Sequence, residues 1–429
     1  SYAGSGFDWS GCQDERNRLI QHAADTRMTS PKPLIDAVDF FYLSMPRINL
    51  DVDGSQDALL VRVRSNNDEG WGECEAAPLP SISAFFCPPS HGACLPVADA
   101  VIGARLAAPA DIDAIYQATR VGSERLAQAI HVLSGIEIAC WDLLGKRLQE
   151  PVWALLGQNI SYPKTAYASL LFGETPSLTL EKARHANASG YRAAKFGWGP
   201  FGKDLGEDRN QLMAAREGLG PDALLLVDAG CIWRGPAAVE DATRRREVLV
   251  EANVHWLEEP FPHHDRVAYR NFANQCPEIF VAGGESAVNE EDALALMHDA
   301  NLRFLQIDAG CIGGLGPSRR LAIAANVADC QFVNHTFTSD LALAASLAPF
   351  ADNESDNLAE YPEELSELGA AIAGRSITPN TAGKIQIPDC PGIGVDVDTS
   401  NLLIYQRTVK ITIDDEVLYQ SPPICEDHA

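Results

Sequence analysis

The chain has 429 residues, too many for one ordinary domain and enough for a barrel with a second unit beside it. Hydrophobic residues make up 46% and charged residues 21%, an ordinary globular balance with ample apolar material for a large core; no apolar run approaches the roughly 18 residues that a membrane helix needs. A formal net charge of −26 argues against nucleic-acid or anionic-membrane partners, so an anionic substrate has to be held by a local cluster of metal ion and lysine.

In chain order, residues 1–33 are set apart as an N-terminal extension; Ser1 to Arg27 is polar and charged and does not read as a secretory signal. From Leu34 to about Val63 apolar and polar residues alternate, giving two strands separated by the polar loop Arg47 to Gln56. Asn66 to Gly70 marks a turn, and the Pro- and Ser-rich stretch Ala77 to Pro96 reads as a long loop of the kind that forms functional lids. Helical periodicity runs from Asp111 to Leu156, clearest in SGIEIACWDLLGKRL, and is closed by Pro151 and Gly157. Residues 34–157 therefore form one unit.

After Gly157 short apolar runs alternate with amphipathic stretches: TAYASLL, YRAAKFG, ALLLVDAG, VHWLEEP, IFVAGGE, LRFLQIDAG and CQFVNHTF. Strand–helix alternation implies a parallel sheet, and at least seven such units favour a closed (β/α) barrel over residues 158–375. There is no G-x-G-x-x-G after the first strand to ask for a dinucleotide. Strand and turn signals resume over 376–429, a segment expected to return to the first unit. Eleven cysteines, none in a C-x-x-C pair and several in apolar runs (Cys140, Cys330), read as reduced, buried thiols of a cytoplasmic protein.

Six runs end in a residue able to do chemistry: Lys195, Asp228, Glu258 (or Glu259), Glu285, Asp308 and His335, at gaps of 33, 30, 27, 23 and 27 residues by subtraction. Each gap is one strand plus one helix with their loops, so the side chains should converge at the C-terminal mouth of the barrel, where barrel enzymes place their sites. Asp228, Glu258 and Glu285 are hard oxygen ligands suited to Mg²⁺, and the lack of His or Cys among them argues against zinc. Glu258 and Glu259 face opposite ways on a strand, so only one can face the mouth.

The ordered set LLLVDAG, WLEEP, AGGES, QIDAGCIGG and VNHTF, with SGIEIACWDLLGKRL and PVWALLG before it, resembles the mandelate racemase branch of the enolase superfamily over roughly residues 34 to 400. The resemblance implies a modified TIM barrel of the (β/α)7β type and an α+β capping domain built from both ends of the chain. Arg47 to Gln56 and Ala77 to Pro96 would be its specificity loops. It implies one Mg²⁺ on Asp228, Glu258 and Glu285, and a His335–Asp308 dyad as general base. Glu360 in NLAEYP, 25 residues after His335 by subtraction, would end the eighth strand and hydrogen-bond the substrate carboxylate. It also implies a small-molecule carboxylate substrate, a sugar acid, and a homo-oligomeric assembly.

Removing a proton beside a carboxylate places a second negative charge on that group, and a divalent cation stabilises it. His335 would take the proton and Asp308 would orient its ring. The run Ala194-Lys195-Phe196-Gly197-Trp198 departs from the branch, which often carries K-x-K there: Lys195 matches the first lysine and Gly197 stands for the second. Lys195 can neutralise the substrate's charge, or, with a shift of register, act as base itself. Trp198 and Asn334 either line the pocket or pack. Without a base on each face, a one-base dehydration to a 2-keto-3-deoxy acid is expected. Epimerisation, cycloisomerisation and a catalytically silent metal-binding barrel are the alternatives.

Overall fold

The computed structural model describes residues 32–50, 56–354 and 357–425. The expected N-terminal extension lies almost wholly outside them, as do residues 51–55 of the loop Arg47 to Gln56. The first unit opens with the antiparallel strands β1 (Ala37–Ser44), β2 (Asp57–Ser65) and β3 (Asp68–Cys74). The turn signal at Asn66 to Gly70 is a tight hairpin in which Asn66 takes φ 57°, and β3 starts sooner than alternation alone suggests. Its run DEGWGEC carries two glycines because the sheet lies hard against a helix. A side chain at Gly70 would meet the Ala139 carbonyl at 2.2 Å, and one at Gly72 the Gly135 carbonyl at 2.2 Å.

Part of the stretch expected as a long loop is helical, over Pro78–Phe86. Pro78 sits at the helix start, where its missing N–H costs nothing, and Ile82 and Phe85 are buried on one face. The expected helical region resolves into helices Pro109–Gly122 and Ala129–Leu148.

The second of these joins three parts of the chain. Asp142 accepts from the Trp71 amide (2.8 Å) on β3, from Lys146 Nζ (2.7 Å) and from the Ile393 amide (3.0 Å) far downstream. Glu137 accepts from Trp141 Nε1 (2.7 Å) and from the Leu315 and Gly316 amides (2.7 and 2.8 Å), so it caps the barrel helix Leu315–Val327. A buried carboxylate is tolerable where N–H groups saturate it and a helix dipole favours it.

The barrel strands are β4 (Lys164–Leu171), β5 (Ala193–Gly197), β6 (Leu224–Asp228), β7 (Val254–Glu258), β8 (Phe280–Gly283), β9 (Phe304–Ile307), β10 (Gln331–Asn334) and β11 (Leu358–Pro362). They pair in parallel in that order, and β11 returns to β4. The eight-stranded barrel is nearly closed. Between β10 and β11 the closure is made by a side chain: Asn334 Oδ1 accepts from the Glu360 amide (2.9 Å) and Nδ2 donates to the Glu360 carbonyl (3.2 Å). Asn334 is thus a packing residue.

Inside the barrel one residue from each strand forms a closed layer: Tyr167, Ala193, Leu226, Trp256, Ala282, Phe304, Val333 and Leu358. A strand repeats its facing every two residues. Two positions further along stand Ser169, Lys195, Asp228, Glu258, Gly284, Gln306, His335 and Glu360. The apolar layer is the floor, and the next layer is the mouth.

Past the barrel, β12 (Lys384–Ile385) joins β4 antiparallel, and β13 (Gln406–Arg407) pairs with Tyr42 and Leu43 of β1. Strands β14 (Lys410–Ile413) and β15 (Glu416–Gln420) form a hairpin whose Tyr419 hydroxyl donates to the Phe40 carbonyl at 2.8 Å. Among the described residues no helix is long and apolar enough to cross a membrane.

Candidate active site

Lys195 points up from β5 into a nest of acids. Its Nζ lies 2.6 Å from Glu258 Oε1, 2.7 Å from Glu360 Oε1 and 3.8 Å from Asp228 Oδ2. Tyr167 lies beneath it, with its ring centre 5.9 Å from Nζ. Burial alone would lower the Lys195 ammonium, but Glu258, Glu360, Tyr167 and Asp228 together hold it well above its ordinary value. Glu360 is pulled below the usual carboxylate range against the pull of burial, chiefly by Lys195 and His335.

The left-handed turn after β7 separates the two adjacent glutamates. Glu258 is fully buried and also accepts from Trp256 Nε1 (3.2 Å). Glu259 takes φ 37° and turns away, accepting from Ser286 Oγ (2.8 Å) and Cys231 Sγ (3.1 Å). Gly284 at φ 126° redirects the chain after β8 and presents Glu285 to His335, with 3.4 Å between Glu285 Oε2 and His335 Nε2.

His335 completes the dyad: its Nδ1 lies 2.8 Å from Asp308 Oδ2, and Asp308 Oδ1 accepts from the Gly310 amide at 2.7 Å. Burial would lower the imidazole, but Glu285, the Asp308 hydrogen bond and Glu360 outweigh it and raise it well above its ordinary value. The acids thus favour the imidazolium, the form the ring reaches on taking a proton.

Lys195, Asp228, His335 and Glu360 line one cavity with Ser169, Trp198, Phe337 and Glu364. Glu285, Asp308 and Glu259 line a second cavity that shares His335, Trp198 and Phe337 as its boundary. The expected constellation is therefore divided between two sides of His335. Among the described residues no three carboxylate, imidazole or thiol groups converge closely enough to chelate a cation as they stand.

Even so, the donor set fits a divalent cation. Glu285 Oε2 is buried and accepts no hydrogen bond. Its carboxyl is pushed well above the usual range by burial, and the charges of Glu259, Asp228 and Glu258 add to that push while His335 opposes it. Crowded hard oxygens of one sign are what Mg²⁺ relieves.

Gly197 has a packing cause. A Cβ there would lie 2.8 Å from Asp228 Cβ and 3.1 Å from Asp228 Oδ2. The next residue, Trp198, takes φ 58° and lays its indole against Gly230. Sequence reasoning missed Ser169, Phe337 and Glu364. Counting two residues on from the inward Tyr167 finds Ser169; no local signal marks the other two.

Two family models match: the mandelate racemase/muconate lactonizing enzyme N-terminal domain over residues 47–157, and the enolase C-terminal domain-like family over 179–401, more than half of the chain. The chain belongs to the mandelate racemase branch of the enolase superfamily. A crystal structure from Rhodobacter sphaeroides, described as a predicted mandelate racemase, is 51% identical, with a TM-score of 0.85 over 91% of this chain and 100% of that one. A 3,6-anhydro-alpha-L-galactonate cycloisomerase from Streptomyces coelicolor is 29% identical over 65% of this chain and 73% of its own. A D-gluconate dehydratase from Thermoproteus tenax is 27% identical over 66% of this chain and 57% of its own. These relatives include both lyases and isomerases acting on sugar-derived acids.

Proposed function

We propose that this superfamily member dehydrates a sugar acid, removing the proton alpha to its carboxylate and expelling the β-hydroxyl to leave a 2-keto-3-deoxy acid. The observation that carries the reading is that His335, oriented by Asp308 at 2.8 Å, faces the same cavity as Lys195, Asp228 and Glu360. A base, a cation and carboxylates thus line one cavity.

Asp228, Glu258 and Glu285 are the residues that would hold Mg²⁺. Bound Mg²⁺ supplies Lewis-acid stabilisation of the negative charge that develops on the substrate carboxylate. Lys195, fixed between Glu258 and Glu360, adds a positive charge on that side and acts as electrostatic partner. With Glu285 neutralised by a bound cation, the main charge holding His335 protonated would be relieved, and Nε2 of the neutral ring takes the α-proton as the electrons of the broken C–H bond move toward the carboxylate. The Asp308 carboxylate fixes the tautomer of the neutral ring and stabilises the imidazolium that forms. His335 then returns the proton to the β-hydroxyl as the C–O bond breaks and water leaves. The resulting enol takes up a proton at C3 and gives up its O–H proton, leaving the ketone.

Glycine in place of the second lysine at position 197 favours one-base elimination over racemisation, which needs a base on each face of the carbon. Cycloisomerisation is the second reading, favoured by the Streptomyces relative. Screening acid sugars with Mg²⁺ by NMR separates them: dehydration gives a keto acid with loss of water, whereas cycloisomerisation gives an isomer of equal mass. Replacing His335 with Asn should cut α-proton exchange with D₂O by about a thousandfold, within the range of a lost general base. Undiminished exchange in that variant would rule the mechanism out.

A further inference from the structure

We propose that Glu364 selects substrates whose end remote from the reacting carboxylate is a neutral polyol, favouring aldonates over aldarates of the same length. This assignment rests on the dehydratase reading and names the substrate class for the same cavity.

Glu364 follows β11 and lines the cavity together with Ser169, Trp198 and Phe337. It is held there by three contacts in a closed set. Its Oε2 accepts from the Leu171 amide at 3.0 Å, its Oε1 lies 2.7 Å from Lys182 Nζ, and Lys182 Nζ donates back to the Leu171 carbonyl at 3.0 Å. The carboxylate is thus positioned before any ligand arrives, so little ordering cost remains on binding.

The chemistry of this wall suits hydroxyls. A carboxylate accepts two O–H bonds at once, and the Ser169 hydroxyl can donate or accept. The Trp198 and Phe337 rings offer apolar faces to the C–H side of a carbon chain. Among the described residues a second carboxylate finds no unengaged counter-charge at this wall: Lys182 is bound to Glu364, and the cavity's cations, Lys195 and the His335 imidazolium, are held by Glu258 and Glu360 and by Glu285 and Asp308. Arg234, the cation of the neighbouring cavity, donates from Nε to the Cys231 carbonyl (2.9 Å) and stands among Glu75, Glu259, Glu285 and Asp308. A distal carboxylate placed against Glu364 meets like charge.

The test compares matched pairs, an aldonate and the aldarate of the same configuration and chain length, assayed with Mg²⁺ for keto-acid formation and for α-proton exchange in D₂O. The wild type should favour the aldonate by about tenfold in kcat/KM, the size of effect of a like-charge contact at a partly exposed carboxylate. Glu364→Gln should abolish most of that preference, chiefly through the KM of the diacid, whereas a role in holding β4 alone would weaken both substrates alike. A wild type that turns over the diacid as well as the monoacid, or a ratio unmoved in Glu364→Gln, overturns the assignment and leaves the dehydratase reading standing. Absence of exchange with either class overturns both. The wild-type ratio decides the matter even if the variant does not fold.

Discussion

At the scale of single residues, the site depends as much on an absent side chain as on those present. Gly197 lets Asp228 lie against β5, and a methyl group in that place would sit 2.8 Å from Asp228 Cβ. Neither strand can retreat, because their backbones pair at this point, Gly197 opposite Asp228. Gly197→Ala should therefore turn the Asp228 carboxylate off its present course, at about 1–3 kcal/mol of strain. The expected result is a Mg²⁺ affinity lowered about tenfold or more by calorimetric titration, with activity falling in step, about 1.4 kcal/mol per factor of ten. Wild-type affinity in the alanine variant would show that the contact is not limiting.

At the scale of elements, the barrel is fastened where its ladder is weakest. Asn334 replaces the β10–β11 backbone bonds by gripping the amide and the carbonyl of Glu360. Asn334→Ala would leave two buried backbone groups without partners, each costing about 1–3 kcal/mol. A lowered denaturant midpoint is expected together with a lowered kcat, since Glu360 is the residue released; Asn334→Asp, which keeps the acceptor, should recover part of both. An unchanged midpoint would mean that the strands close by packing alone.

This element also shows what the chain discloses of itself. The regular spacing from Lys195 to His335 gave away the barrel and the order of the residues at its mouth, because strand period and unit length are both written locally. Asn334 remained ambiguous, since its partner lies on a strand 26 residues further on. Glu137 was hidden inside SGIEIACWDLLG because its amide partners, at Leu315 and Gly316, are 178 and 179 residues away. The helix Pro78–Phe86 was obscured by a proline that starts a helix as readily as it breaks one. The turning away of Glu259 depends on a backbone twist that no pattern of residue types announces.

At the scale of the whole molecule, buried titrating groups give stability a definite pH profile. Burial raises Glu73, whose carboxylate accepts from the Ser339 hydroxyl, from 4.5 to about 7, and raises Glu137 likewise to about 7. Between pH 4.5 and 7 the folded chain holds protons that the unfolded chain has released, so these groups make stability fall as pH rises through that window. Burial lowers Lys164 from 10.5 to about 8, so the unfolded chain binds the extra proton and this residue makes stability rise between pH 8 and 10.5. Thermal midpoints measured across both windows should dip near neutrality on these accounts, and Glu73→Gln should flatten the acidic limb. A limb of the opposite slope, or one untouched by the substitution, would show that other groups govern it.

The pairing of Gln406 and Arg407 with Tyr42 and Leu43 joins the two extremes of the described chain. During synthesis β1 leaves the ribosome more than three hundred residues before its partner. At the usual pace of elongation that is a wait of roughly 20–70 s with an unprotected sheet edge. A chain truncated before Gln406 would leave that edge permanently open to strangers.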